Sequence, residues 1–229
     1  MESVRKRART AGILYLVLGI TGAFFLQVVP RALIVRGNAA ATAEQLVTQE
    51  WLFRLGLAAE IVSAVTFIFT ALALYGLFRN VHQGRAALMV ILVLLSVPIS
   101  LVNVVSEVAA FTLARPPDYL AAVGKEQLDA LALFFMGLHA QGNGVAEIFW
   151  GLWLMPLGAL VFRSGFAPRA IGVLLVPAGI AYVVAAFTSF VFPQYTALVA
   201  NIATVPEGLG ELPLIVWLLA TRTRATLPA

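Results

Sequence analysis

The chain is 229 residues long, 61% of its residues are hydrophobic, only 11% are charged, and its mean hydropathy is +0.95. Because a soluble domain carries roughly 25% charged residues and cannot bury so much apolar surface, this composition excludes a soluble protein and predicts an all-α integral membrane protein. The absence of cysteine excludes disulfides, thiolate metal ligands, cysteine nucleophiles and iron–sulfur clusters.

Six apolar segments, separated by short polar or basic loops, follow the N-terminus. The first is long enough to span a bilayer and is not followed by a small-residue cleavage site, so we predict an uncleaved span rather than a signal peptide. Residues 30–50 are polar and rich in alanine, with a turn at Gly37-Asn38, and residues 119–129 are predicted to form a short interfacial helix. A loop with Pro193 and Pro206 precedes the last span. We predict one membrane domain over residues 1–229, with spans at about 11–33, 51–78, 86–113, 128–162, 170–192 and 205–220.

The distribution of Lys and Arg predicts the orientation of the chain. The two termini and the loops 79–85 and 163–169 together hold 10 of the 15 Lys and Arg residues. The positive-inside rule therefore places both termini in the cytoplasm and the chain in the plasma membrane. This placement explains the net charge of +4 without a nucleic-acid partner. Similar segments at Arg9, Arg85 and Arg169 each open an outward-going span, which predicts three helical hairpins related by an axis along the membrane normal.

Carboxylates, amides and one imidazole inside the predicted spans point to a site, because each is costly to bury in hydrocarbon without a partner. His139, Asn143 and Glu147 are spaced four residues apart, so on a helix they lie along one face. Counting outward from the flanking arginines at roughly 1.5 Å per residue places most of these groups in the outer half of a core roughly 30 Å thick. This depth predicts a polar cup that opens to the outside, has Glu211 at its bottom, and binds a small molecule, a lipid or an ion. Its candidate binding residues are His139, Glu60, Glu211, Glu147, Asn143, Glu107, Asn103, Glu207, Arg54 and Trp150.

The same residues leave other functions open. Carboxylates with one imidazole suit a divalent cation such as Mn²⁺, Mg²⁺ or Zn²⁺, and no other cofactor is expected. A membrane-embedded metal-dependent hydrolase at the outer leaflet would use that ion, although the signature His-Glu-x-x-His is absent. A proton-coupled transporter would use Glu211 as a relay, and a purely structural network would pair the acids with Arg31 and Arg54. We favour a non-enzymatic protein whose partners are the lipid bilayer and a small-molecule or lipid ligand. The candidate metal ligands are His139, Glu60, Glu107 and Glu147.

Segments spread over nearly the whole chain resemble one known family. The most specific of them is the loop Phe162-Arg-Ser-Gly-Phe-Ala-Pro-Arg169, and the others are 51–60, 118–122, 137–139 and 210–217. Together they resemble a bacterial six-span membrane family catalogued as domain of unknown function 4386. The resemblance implies the six-span topology but no activity. It points to Arg54, Glu60, His139 and Glu211 as residues of the family's polar pattern, whereas Asn143 and Glu147 depart from that pattern.

Overall fold

The computed structural model describes residues 4–221, and the regular elements in this part of the chain are all helical. A π-helical turn at Phe24–Val28 joins the first two helices, and single 3₁₀ turns occupy Asp118–Leu120 and Pro193–Tyr195. The helices are α1 (Val4–Ala23), α2 (Val29–Leu33), α3 (Ala39–Thr48), α4 (Glu50–Phe78), α5 (Gln83–Ala114), α6 (Lys125–Arg163), α7 (Arg169–Val191) and α8 (Thr196–Ala220).

Six of the helical stretches are long and apolar enough to cross a membrane. They are Val4–Leu33, Glu50–Phe78, Gln83–Ala114, Lys125–Arg163, Arg169–Val191 and Pro193–Ala220. The predicted class, an all-α multi-pass membrane protein with six spans, is thereby confirmed. The arrangement as three hairpins and the cytoplasmic termini stay predictions. Arg222 and Arg224, which supply the C-terminal positive charge, lie outside the described residues.

Prolines interrupt the helices less than the sequence suggests. The predicted loop around Pro206 is wrong, because α8 already begins at Thr196 and contains both Pro206 and Pro213. Pro98 likewise lies inside the continuous helix α5. In an apolar environment backbone groups have no water to bond with, so a chain keeps its remaining helical hydrogen bonds around a proline instead of opening into a loop.

The polar segment between the first two spans contains a helix that was not predicted. Gly37 has a φ of 73°, which fits the predicted turn. The side chain of Asn38 then caps α3 by accepting a hydrogen bond from the backbone N–H of Ala41 at 3.0 Å. The alanine-rich sequence after this cap has a high helix propensity, so the segment folds as a helix rather than as an open loop.

The interfacial helix predicted over residues 119–129 is also wrong in its bounds. Only the turn Asp118–Leu120 is helical there, and α6 begins at Lys125. Lys125 and Asp129 form an ion pair of 2.7 Å across the first turn of α6. The residues after 124 are therefore the beginning of the long fourth span.

The chain forms two compact units whose boundaries fall inside helices. The described part of unit 1 comprises residues 4–18, 65–98 and 144–221, and unit 2 comprises residues 19–64 and 99–143. Unit 2 contains an apolar core in which Phe53 of α4 stacks on Phe111 of α5, with ring centroids 4.9 Å apart. The predicted single domain refers to the whole chain and stays a prediction.

Glycines allow α6 and α7 to approach closely within unit 1. A Cβ atom at Gly151 would lie 2.5 Å from the carbonyl oxygen of Gly179, and one at Gly158 would lie 2.8 Å from that of Gly172. Only a residue without a side chain leaves space for such backbone contacts. Small residues are used in this way at helix–helix interfaces in membranes, where van der Waals packing drives association.

Candidate metal centre

Three helices of unit 2 bring two carboxylates and an imidazole together. Glu60 of α4, Glu107 of α5 and His139 of α6 are only 1%, 7% and 6% exposed. His139 Nε2 lies 3.4 Å from Glu107 Oε1 and 3.7 Å from Glu60 Oε2. One ligand atom from each residue lies within 4.8 Å of the other two. Ligand atoms around a single tetrahedral zinc ion lie roughly 3 to 3.5 Å apart, so a small inward movement would suffice to bind one ion.

Two asparagines determine how the His139 ring is used. The two hydrogens of Asn103 Nδ2 are directed to the His139 carbonyl oxygen at 2.7 Å and to Asn143 Oδ1 at 3.1 Å. His139 Nδ1 lies 3.1 Å from Asn103 Nδ2 and 3.4 Å from the Asn103 carbonyl oxygen. Because both Nδ2 hydrogens have other acceptors and the carbonyl oxygen can only accept, we assign the proton to Nδ1. His139 Nε2 accepts from Asn143 Nδ2 at 2.9 Å. The neutral ring therefore has its Nε2 lone pair on the side of the two carboxylates, where it accepts from Asn143, so Nε2 can bind an ion only after this hydrogen bond breaks.

Glu60 is the least satisfied group of this cluster. Both of its carboxylate oxygens are buried, and neither has a hydrogen-bond partner among the described residues. The polar groups that face them are the Glu107 carboxylate and the His139 Nε2 atom, which are acceptors in this arrangement. Acceptors that face one another without a donor repel, and the cost is large inside a protein. A cation between them, or a proton shared by Glu60 and Glu107, removes that repulsion.

Gly142 makes the position of Asn103 possible. A Cβ atom at Gly142 would overlap the side-chain amide of Asn103, its Oδ1, Cγ and Nδ2 atoms all being too close. The Asn103 amide therefore lies directly against the backbone of α6, where it reaches both His139 and Asn143. Partners of this kind orient a metal-binding histidine and fix its tautomer.

The structure places Arg54 outside this cluster. Arg54 pairs with Glu50 one turn earlier in α4 at 2.7 Å, and its guanidinium lies over the Phe111 ring at 5.6 Å. Arg115 of α5 binds the other oxygen of Glu50 at 2.9 Å. These groups are largely exposed, so they form a solvated ion-pair network at one end of unit 2.

A second group of polar residues lies in unit 1 and includes Glu211. The hydroxyl groups of Tyr15 and Tyr182 donate to its two carboxylate oxygens, at 2.5 Å and 2.9 Å respectively. Glu147 lies close enough to interact electrostatically with Glu207, and Glu207 with Glu211. These three acids, all predicted as binding residues, thus share one neighbourhood on α6 and α8.

Aromatic residues support this second group. Tyr15 packs against Trp153 with centroids 5.6 Å apart, and Trp153 meets Phe67 edge-on at 4.9 Å. Trp150, predicted to line the site, is half-buried one turn before Trp153. Tyr15, Tyr182 and Trp153 were missed from the sequence. A tyrosine in the middle of an apolar span was the available signal, because its buried hydroxyl needs a partner.

Comparison with known families identifies the chain. Residues 10–221 match the family described as Domain of unknown function (DUF4386). The chain belongs to this family. The match covers every residue of both polar groups, from Tyr15 to Glu211, and it confirms the resemblance that the loop Phe162–Arg169 indicates. No curated protein and no solved structure matches the chain. The description of this family names no activity, so only the site itself indicates a function.

Proposed function

We propose that this multi-pass membrane protein binds one divalent transition-metal ion at Glu60, Glu107 and His139. The observation that carries the proposal is the Glu60 carboxylate, which is 1% exposed and has no hydrogen-bond partner for either oxygen among the described residues. A buried carboxylate without a partner is unstable unless a proton or a cation neutralises it. The neighbouring groups, an imidazole lone pair and a second carboxylate, are metal ligands.

The ligand set favours one class of ion. Mg²⁺ and Ca²⁺ prefer six or more oxygen ligands, whereas an imidazole together with carboxylates suits Zn²⁺, Mn²⁺ or Fe²⁺. Three protein ligands also leave at least one coordination position for water or another molecule. Asn103, whose carbonyl oxygen accepts from His139 Nδ1, is the outer partner that such a site needs, whereas the Asn143 amide must leave Nε2 when an ion binds there. The centre therefore suits Zn²⁺, Mn²⁺ or Fe²⁺ rather than an alkaline-earth ion, and Zn²⁺ and Mn²⁺ are the ions used to test it.

The polar cup predicted from the sequence includes more residues than this metal centre. It included Glu147, Glu207 and Glu211, which the structure gathers with Tyr15 and Tyr182 in unit 1. The opening of a cup to the outside, metal-dependent hydrolysis and proton-coupled transport stay predictions from the sequence. Binding of an ion is the part of those predictions that the contacts around Glu60 support.

Metal titration tests the proposal directly. The detergent-purified protein is stripped with a chelator, dialysed, and titrated with Zn²⁺ and Mn²⁺ by isothermal calorimetry. We expect one ion per chain, and at least a tenfold loss of affinity in Glu60→Gln and in His139→Ala, since outer partners alone contribute roughly 10- to 100-fold. The matched control is Glu50→Gln, which removes a partly exposed carboxylate of the same helix that already pairs with Arg54 and Arg115.

The result that would overturn the proposal is equally specific. If the stripped protein takes up no ion, or if Glu60→Gln binds as tightly as the wild type, the centre does not hold a metal. Thermal unfolding of each variant shows whether it is folded. Glu60→Gln keeps the shape of the side chain and replaces a charge by a neutral amide, so in chelator it should melt no lower than the wild type. Added metal should raise the melting temperature of the wild type but not that of Glu60→Gln.

A further inference from the structure

One end of unit 1 is rich in arginine, and the described segments around these arginines contain no acid. The residues concerned are Arg7, Arg79, Arg85, Arg163 and Arg169, which we name the arginine face. In residues 4–18, 65–98 and 148–206, which are the parts of unit 1 nearest to these arginines in sequence, there is no Asp or Glu. The positive charge of this face is therefore not balanced by carboxylates of those segments.

Contacts within unit 1 bring the helix ends that carry these arginines together. Arg7 Nη1 donates to the carbonyl oxygen of Gly76 near the end of α4, at 3.2 Å. Phe78, the last residue of α4, stacks on Phe166 of the loop between α6 and α7, with centroids 5.5 Å apart. Phe166 in turn stacks on Trp217 of α8 at 6.1 Å. The beginnings of α1, α5 and α7 and the ends of α4, α6 and α8 thus belong to one surface.

Arg85 is the arginine of this face that most requires an anion. Its Nη1 atom is buried and has no hydrogen-bond partner among the described residues. A guanidinium is always charged and carries five donors, so a buried N–H without an acceptor is costly. Arg85 also lies in the first turn of α5, and Arg169 is the first residue of α7. The positive end of a helix dipole disfavours a cation there and favours an anion.

The position of the face decides which anion is available. The arginines flank spans long and apolar enough to cross a membrane, so they lie at the level of the lipid headgroups. Trp217, an interfacial residue type, lies at the same end. The anions concentrated at that level are the phosphates of acidic phospholipids, which attract clusters of four to eight Lys or Arg residues. We propose that the arginine face binds an anionic phospholipid through its phosphate, with the half-buried Arg85 as one of the donors.

Lipid titration of the full chain tests this proposal. The protein is placed in nanodiscs of phosphatidylcholine with 0 or about 30% phosphatidylglycerol, and lipid binding is followed by native mass spectrometry and thermal unfolding. We expect the wild type to retain phosphatidylglycerol over phosphatidylcholine and to melt higher in its presence. Arg85→Gln should weaken retention roughly fivefold, the effect of one basic residue at an acidic membrane surface. Arg85→Lys, which keeps the charge, should retain most of the preference.

Two further variants serve as a control and as a second test. Arg36→Gln removes an exposed arginine of unit 2 and should leave the preference unchanged. The double variant R163Q/R169Q should weaken retention even if Arg85→Gln does not fold. Equal retention of the two lipids by the wild type would overturn the proposal. So would equal stabilisation by inorganic phosphate in pure phosphatidylcholine discs, because the site would then bind free phosphate.

Discussion

Residues that do not touch the proposed ion orient His139, which would bind it. Its ring is held at Nδ1 by the Asn103 carbonyl oxygen, and Asn103 itself is held against the backbone of α6 at Gly142. The orientation of a single ligand thus depends on a glycine that carries no functional group. Sites of this kind lose affinity when the outer residues move, even if every ligand is still present.

Gly142→Ala tests this dependence. The added methyl group would overlap the Asn103 amide, so Asn103 must leave its place and His139 loses its orientation. We expect metal affinity, measured by calorimetry, to fall about tenfold. Asn103→Ala should give a similar loss, and the double variant should lose little more than either single one because both act through the same side chain.

The control for this variant lies on the same helix. A Cβ atom at Gly137 would meet no atom within 4 Å, so Gly137→Ala should leave metal affinity unchanged and stabilise the helix by up to about 1 kcal/mol. Equal metal affinity in Gly142→Ala and the wild type would show that Asn103 does not orient the ligand.

The sequence identified the polar residues of the site better than it identified their partners. Glu60, Glu107 and His139 could be named because a charged or titratable group inside an apolar span is costly and therefore conspicuous. Tyr15 and Tyr182, which bind Glu211, carry a weaker signal, because tyrosine is also common at membrane interfaces and the sequence does not show which tyrosine hydroxyls are buried. Counting residues gives the depth of a side chain but not the direction in which its helix is rotated. The separate surroundings of His139 and Glu211 therefore could not be derived.

At the level of helices, length and hydropathy predicted the spans, whereas local chemistry set their ends. The six spans were predictable because each contains 18 or more mostly apolar residues. The start of α8 was not, since Pro206 suggests a loop in water but is tolerated in an apolar helix. Helix α3 was also not predicted, although Asn38 followed by three alanines is a good helix start.

The contact between α6 and α7 is the clearest test of packing in unit 1. In Gly151→Ala the new methyl group would lie 2.5 Å from the Gly179 carbonyl oxygen and 2.9 Å from Tyr182 Cβ, so the two helices must separate. We expect a loss of about 1 to 3 kcal/mol in the free energy of unfolding, as for other overpacked sites. Denaturant unfolding in detergent measures it.

Gly76→Ala in α4 is the matched control, because a Cβ atom there would meet nothing within 4 Å. It should be neutral or slightly stabilising. A result in which the two variants unfold alike would mean that α6 and α7 are not closely packed at Gly151.

The orientation of the whole molecule in the membrane determines which side the termini and the arginine face lie on. Six spans place both termini on the same side, and 10 of the 15 Lys and Arg residues lie in the termini and the two loops predicted to be cytoplasmic. The arginine face would then meet the inner leaflet, where acidic lipids create a negative surface potential. The orientation therefore decides which leaflet supplies the proposed lipid.

Because the chain contains no cysteine, single cysteines report orientation without background. Gln83→Cys lies at the start of α5 and Ala122→Cys in the segment between α5 and α6, and both positions are exposed. In intact bacterial cells a membrane-impermeant maleimide should label A122C and not Q83C, whereas both should react after permeabilisation. The two positions flank the same span, so each serves as the control for the other. Labelling of Q83C alone in intact cells would invert the topology and place the arginine face at the outer leaflet.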